Sequence, residues 1–186
     1  VFEAVLDHLD NEERKVLAVA AAIGGGDAEL LTTAVGESDV DPAALLSRLP
    51  LITASDGEFI IHDLWRRVIG DTIGGQDLHR AVARGVDALV ERDQFDRAFR
   101  LCVDRGDWEH AASVLTSCCR HGHVEVPPGV LAEWLGALPA DRREEPDGLL
   151  LRGLVGRVND PFGEETAHLL ERAVDAYRAT GNVAGE

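Results

Sequence analysis

Methionine is absent from this 186-residue chain, initiator included, and lysine occurs once, as Lys15, beside seventeen arginines. A missing initiator raises the expectation of an internal piece of a longer protein. Positive charge is scarce altogether: 18 Lys and Arg stand against 34 Asp and Glu, for a net charge of −16. A nucleic-acid or anionic-membrane surface needs clustered Lys and Arg, so this balance argues against both. No run approaches the ~18 to 20 consecutive apolar residues of a membrane span. The first residues carry no basic n-region or cleavage site. Cysteine is sparse and odd in number (Cys102, Cys118 and Cys119, without C-x-x-C spacing), which fits neither a disulfide framework nor a zinc signature. A reducing cytoplasm is the expected setting. Enzymatic signatures are missing too: there is no G-x-x-x-x-G-K-[ST] phosphate loop, G-x-S-x-G elbow or H-E-x-x-H pair.

What remains is ample material for a core. Hydrophobic residues make up 45% of the chain and charged ones 28%, a globular balance. At about 150 residues per domain the length allows one ordinary domain or two small ones. The expected division is 1–75 and 76–186.

Residues 1–75 read as three helices, a hairpin and a fourth helix. Asp10 followed by Glu13 resembles a capping box and opens a helix carrying Val16, Leu17, Val19 and Ala20. Gly24-Gly25-Gly26 reads as the turn that ends it, since no Lys or Ser/Thr follows to make a phosphate cradle. Asp27 caps a second helix with Leu30, Leu31 and Ala34. Asp41-Pro42 places a cap before Pro at the first helical position of a third. The runs Leu51-Ile52-Thr53-Ala54 and Glu58-Phe59-Ile60-Ile61 flank Ser55-Asp56-Gly57, a strong hairpin signal. Asp63 then caps a helix expected to bury Leu64, Val68, Ile69 and Ile73. Three helices, a two-stranded wing and a helix describe a winged-helix domain.

From residue 76 onward everything reads as helix. Ala81, Val82, Val86, Leu89 and Val90 form a stripe of 3.6-residue period. The next two helices repeat one another: Phe95-Asp96-Arg97-Ala98 matches Trp108-Glu109-His110-Ala111 across a tight Arg-Gly-Asp turn. Short antiparallel pairs of this kind stack into α-solenoids, here of tetratricopeptide-repeat (TPR) type. Pro127-Pro128 precedes a helix with Leu131, Trp134, Leu135 and Leu138. Leu149 to Val158 and Glu164 to Thr180 form a last pair, with Leu170, Ala173, Val174 and Tyr177 inward. The fold class is mainly α: a winged helix followed by the start of a TPR-like array.

Few residues point to chemistry. Cys118, Cys119, His121 and His123 are adjacent rather than spaced to converge on one metal ion, and they read as buried thiols beside a solvated loop. The third helix offers Arg48 against Asp39 and Asp41, and residues 1–75 hold five Lys and Arg against fourteen Asp and Glu, so direct DNA contact is not expected. His62, where the second strand turns into a helix, reads on its own as a half-buried turn residue beside the capping Asp63.

The segment Ile60-Ile61-His62-Asp63-Leu64, closing an acidic winged helix, resembles the "MHD" motif of STAND-class signal-transduction ATPases, with Ile61 in place of the Met. That class includes the NB-ARC proteins and the large ATP-binding LuxR-type transcriptional regulators related to the maltotriose-responsive activator. Asp107-Trp108-Glu109-His110-Ala111-Ala112-Ser113-Val114-Leu115 is similar to the "GDWERAADLL" repeat of those regulators. Leu131 to Pro139 is similar to their "LLRWLEALP" segment. The resemblance spans essentially the whole chain, in the right order. It implies a winged helix folded over a nucleotide-binding domain, with His62 on the β-phosphate of bound ADP. An inducer or signalling protein on the repeats would favour an open, oligomerising ATP form. The phosphate-loop domain is not in this chain, so the chain alone is expected to be non-enzymatic and to hold no cofactor, with ADP and ATP belonging to the parent protein. STAND defence proteins share such a middle segment, and a TPR-like interaction scaffold with a structural winged helix is the alternative.

Overall fold

The structure, a computed structural model, describes residues 5–69, 75–120, 126–179 and 181. The chain folds as two compact units, Val1–Glu91 and Arg92–Glu186.

Local capping chemistry sets most of the first unit. Helix α1 (Asn11–Ile23) begins in a closed capping box. Asp10 Oδ1 accepts from the Glu13 N–H at 2.8 Å, and Glu13 Oε2 accepts from the Asp10 N–H at 3.0 Å. Gly24 ends the helix in the left-handed region at φ 80°. Asp27 caps α2 (Ala28–Val35) through the Leu30 N–H at 2.7 Å. Asp41 caps α3 (Pro42–Leu46) through the Ala43 N–H. The glycine run does more than end a helix. Gly25–Asp27 forms strand β1 and pairs antiparallel with β3 (Glu58–Ile61), which also pairs with β2 (Ile52–Ser55), giving the order β1-β3-β2. In the register Gly25↔Ile60, a Cβ on Gly25 would lie 1.9 Å from the Phe59 carbonyl oxygen, so only glycine lets the two backbones meet. Asp56 (φ 52°) and Gly57 (φ 84°) make the tight β2–β3 turn that the Asp-Gly pair predicts.

Helix α4 (Asp63–Ile69) corrects the expected face. Trp65 and Ile69 are buried, whereas Leu64 and Val68 are exposed; Ile73 lies outside the described residues. Leu64/Val68 and Trp65/Ile69 both have i, i+4 spacing, and the larger apolar surface of the indole decides which pair goes inward.

Helix α5 (Gly75–Glu91) packs on α1 and α2, so the first unit runs past the expected boundary at residue 75 to Glu91. Gly85 permits the approach: a Cβ there would sit 3.1 Å from Ile23 Cγ2. Neither α1 nor α2 has a basic residue in its last turn, and arginines from elsewhere occupy their C-terminal carbonyls instead. Arg66 Nε donates to the Ala21 carbonyl at 2.9 Å. Arg84 Nη2 donates to the Ala34 and Val35 carbonyls at 2.7 and 2.8 Å. Cations at helix C-termini satisfy orphan acceptors and complement the helix dipole.

Among its described residues the second unit has only helical elements: α6 (Phe95–Val103), α7 (Trp108–Arg120), α8 (Pro128–Ala137), a 3₁₀ turn at Arg142–Glu144, α9 (Pro146–Asn159) and α10 (Glu164–Ala179). Helices α6 and α7 form one packed hairpin, with Gly106 at φ 67° in the turn, and α9 and α10 form another. The expected stripes are largely inward: Phe95, Ala98, Phe99, Cys102, Ala111, Leu115, Leu131, Trp134, Ala173 and Tyr177 are buried. Trp134 stacks on Phe99 with centroids 4.4 Å apart, and its indole N–H donates to Asp96 Oδ1 at 2.9 Å. Asp96 also accepts from Arg100, whose other arm reaches Glu133. Glu144 similarly takes both Arg152 and Arg172, and these partners, Arg172 foremost, hold its carboxyl below the ordinary range. Glycines set the approach to α9: a Cβ on Gly148 would lie 2.3 Å from the Arg142 carbonyl oxygen, and one on Gly153 would lie 2.4 Å from Leu170 Cδ2.

A pair of substitutions tests the glycine strand. Gly25→Ala combines an unfavourable φ with a backbone clash and should cost upwards of about 3 kcal/mol. Gly57→Ala has a similar φ but open space around it, and should cost about 1 kcal/mol. Urea unfolding followed by circular dichroism reads both; equal costs would show that the β1–β3 approach is not the constraint.

Candidate functional site

The short link between β3 and α4 places His62, and the bonds that fix it come from four directions. Its backbone N–H donates to the Leu51 carbonyl at 3.3 Å, and its own carbonyl accepts from the Trp65 N–H at 2.9 Å. The Trp65 indole N–H donates to the Pro50 carbonyl at 2.8 Å. Arg66 carries the same turn of α4 onto the end of α1. Leu51 sits at φ 57°, a left-handed conformation that a branched side chain adopts only when its surroundings impose it.

The side chain of His62 is exposed, where the sequence suggested half burial, and it takes the role assigned to Asp63. His62 Nδ1 accepts from the Leu64 N–H at 3.2 Å, capping α4, while Asp63 is the first helical residue. An accepting Nδ1 puts the proton of the neutral ring on Nε2. The ring is therefore held at one nitrogen and presents an N–H donor at the other. Asp63 is 78% exposed and lies 3.9 Å from Arg66 Nη1.

Apolar side chains surround this donor in the chain. Ile60 and Leu64, two residues to either side of His62, are 56% and 38% exposed, and Leu51, which takes its N–H, is 48% exposed. Val68 extends the Leu64 face by one helical turn and is exposed as well. Leu64 and Val68 were expected inside, because a sequence shows apolarity without showing which way it points.

The other candidates differ in placement. Cys102 and Cys118 are buried and Cys119 is half-buried; all three are free thiols. Burial pushes the Cys118 thiol up to about 11 and raises that of Cys119, which suits packing rather than nucleophilic attack. His121 and His123 lie outside the described residues. Arg48, just beyond α3, is engaged by Glu13 of the capping box. Among the described residues no helix is long and apolar enough to cross a membrane.

No protein-family model matches the chain, and no curated protein matches it. Among solved structures, the chain is similar to a signal transduction ATPase with numerous domains (STAND) protein with a tetratricopeptide repeat sensor from Pyrococcus horikoshii. The TM-score is 0.69 at 17% identity, over 99% of this chain and 31% of that one. The chain thus spans about a third of that protein's length. The likeness supports the fold seen here, a small three-stranded sheet among helices followed by further helices of TPR-like arrangement.

The capping role of His62 is directly measurable. His62→Ala removes the Nδ1 acceptor and should lower stability by about 1 kcal/mol, and His62→Asn should recover most of it, because Asn is among the best N-caps. Identical losses for both, in urea titrations, would exclude the cap.

Proposed function

We propose that the chain is the regulatory middle of a STAND-type signal-transducing ATPase, of the kind found in large ATP-binding LuxR-type transcriptional regulators. On this reading the first unit is a winged helix that docks on a nucleotide-binding domain elsewhere in the parent, and the second is the start of a TPR-like sensor. The chain has no enzymatic activity of its own. It couples occupancy of the repeats, by an inducer or signalling protein, to the nucleotide state of that domain.

The observation that carries the reading is the fixed ring of His62. Capping orders the imidazole through Nδ1 and leaves Nε2–H as an exposed donor. A β-phosphate oxygen of ADP would accept from it in a charge-assisted hydrogen bond. Exposed Leu51, Ile60, Leu64 and Val68 supply apolar surface of the sort a docked domain covers. Bound ADP would then favour the docked, resting arrangement over the open one, and that difference in affinity is what a two-state switch requires. The pairing of Arg48 with Glu13 and the acidic balance of residues 1–75 speak against DNA contact by this unit, so the parent's DNA contacts would lie elsewhere. The reading places the parent in the cytoplasm, with oligomerisation in the ATP form. A scaffold role is favoured by one fact: the cap by itself accounts for the position of His62. STAND defence proteins, which share this middle, give the same expectations for these residues.

The test is made in the full-length parent. His62→Ser keeps a capping oxygen but removes the Nε2–H donor. ADP retained through purification, measured by chromatography after denaturation, should fall about tenfold, the worth of one hydrogen bond to a charged group, and basal activity should rise. Unchanged ADP content removes His62 from the switch. The chain itself, incubated with ATP, should release no phosphate above background; enzyme-like turnover would overturn the assignment.

A further inference from the structure

The second unit contains a groove that its apolar stripes do not anticipate. It is about 450 Å³ in volume and lies between α7, which contributes Trp108, Glu109, Ser113 and Thr116, and the segment that leads into α9, with Arg142 from the 3₁₀ turn and Asp147 from the first turn of α9. That size suits an amino acid or a small side-chain-bearing ligand. An apolar recess adjoins it and shares Trp108, Arg142 and Asp147. Trp108 is the repeat counterpart of Phe95, yet Phe95 is 4% exposed while the indole of Trp108 is half-buried and lines the groove. One of the two matched aromatics builds the core. The other faces a concave polar surface.

The polar groups around that indole are mostly acceptors. The Ser113 hydroxyl donates to the Glu109 carbonyl at 3.1 Å and leaves its oxygen to accept, whereas the buried Thr116 hydroxyl is engaged by the Ala112 carbonyl at 2.9 Å and by Tyr177. Arg142 is compensated within the wall: its Nη1 donates to Glu145 Oε2 at 2.8 Å. Glu109 and Asp147 form no ion pair among the described residues. Asp147 is held from below, where its Oδ1 accepts from the buried Tyr177 hydroxyl at 2.5 Å. A carboxylate tied down through one oxygen is ordered in advance, and its second oxygen remains available. An aromatic face, two carboxylates without an ion-pair partner among the described residues and the Ser113 hydroxyl oxygen suit a ligand that is positively charged and rich in N–H donors.

We propose that this groove binds an organic cation, a primary ammonium or guanidinium group, seated against Trp108 with its N–H donors on Asp147 and Glu109. The cation is either a free small molecule or the side chain of a basic peptide; the recognition chemistry is the same. As an account of what the repeats sense, this rests on the sensor role proposed above, but the binding needs neither His62 nor nucleotide.

The experiment titrates the whole chain with N-butylguanidinium, N-butylammonium, the neutral isostere N-butylurea and a blocked Ala-Arg-Ala tripeptide, by calorimetry and tryptophan fluorescence. Both cations should bind saturably and at least about tenfold more tightly than the urea, the difference one charge-assisted contact makes. Asp147→Asn should lose about tenfold in affinity and the exposed Glu109→Gln about threefold. Tyr177→Phe keeps the carboxylate but releases the bond that orders it, and should weaken cation binding by about threefold, less than Asp147→Asn, with the fold checked by circular dichroism. Tighter binding of the tripeptide identifies a partner's side chain as the source, and tighter binding of the free cation a small molecule. Equal binding of N-butylurea and N-butylguanidinium, or cation affinity unchanged in both carboxylate variants, overturns the proposal. The His62→Ser measurement in the parent stands or falls separately, so loss of one reading is distinguishable from loss of the other.

Discussion

The hydrogen bond from the Trp65 indole to the Pro50 carbonyl is the constraint on which the first unit's exposed surface depends. Trp65 is fully buried, and its ring anchors α4 to the core while its N–H ties the helix to the start of the hairpin. With both ends of that connection fixed, Leu51 is driven into a left-handed conformation and His62 is left in the only link between strand and helix. Removing a buried Trp costs on the order of 3–5 kcal/mol. Here the loss would also free the histidine from its place. The exposed donor at His62 is thus a property of a core residue three positions away, and fold and site cannot be separated at this point in the chain.

The parts legible in the sequence were those whose cause is local. Asp10 with Glu13, Asp27 and Asp41 cap helices because each carboxylate reaches an N–H two or three residues on, and the Asp-Gly turn needs only its own backbone. The parts that were not legible depend on distant partners. Gly25 becomes a strand residue because Ile60 is opposite it, and nothing within the glycine run carries that information. The face of α4 was ambiguous because two apolar pairs shared one spacing. The cap of the same helix went to His62 rather than Asp63 by a shift of one residue, the usual scale of error at a helix boundary. The division expected after residue 75 was not legible either, because the stripe on α5 serves α1 and α2 as well as it could have served a repeat.

The two units use their few cations differently. In the first, Arg66 and Arg84 turn inward to the backbone and close the ends of α1 and α2, which have no basic residue of their own there. In the second, arginines pair with carboxylates in shared sets: Arg152 and Arg172 meet at Glu144, and Arg100 spans Asp96 and Glu133. Individual exposed pairs contribute little, but a carboxylate with two cations orders both elements that supply them. In a chain of net charge −16, this structural use of arginine leaves the remaining surface more acidic still.

Helix α9 sets local preference against packing. Gly148, Gly153 and Gly156 weaken it as a helix, since each gives up as much as about 1 kcal/mol relative to alanine. In the fold a Cβ at Gly148 would collide with the Arg142–Arg143 backbone, and one at Gly153 or Gly156 would force the side chain of Leu170 or Thr166 to shift. A synthetic peptide of this segment would therefore gain helix from Gly148→Ala, while the intact chain would lose stability from the same exchange. Glycine and alanine codons differ by one base at the second position, so Gly148 lies a single nucleotide from a change that improves the part and damages the whole.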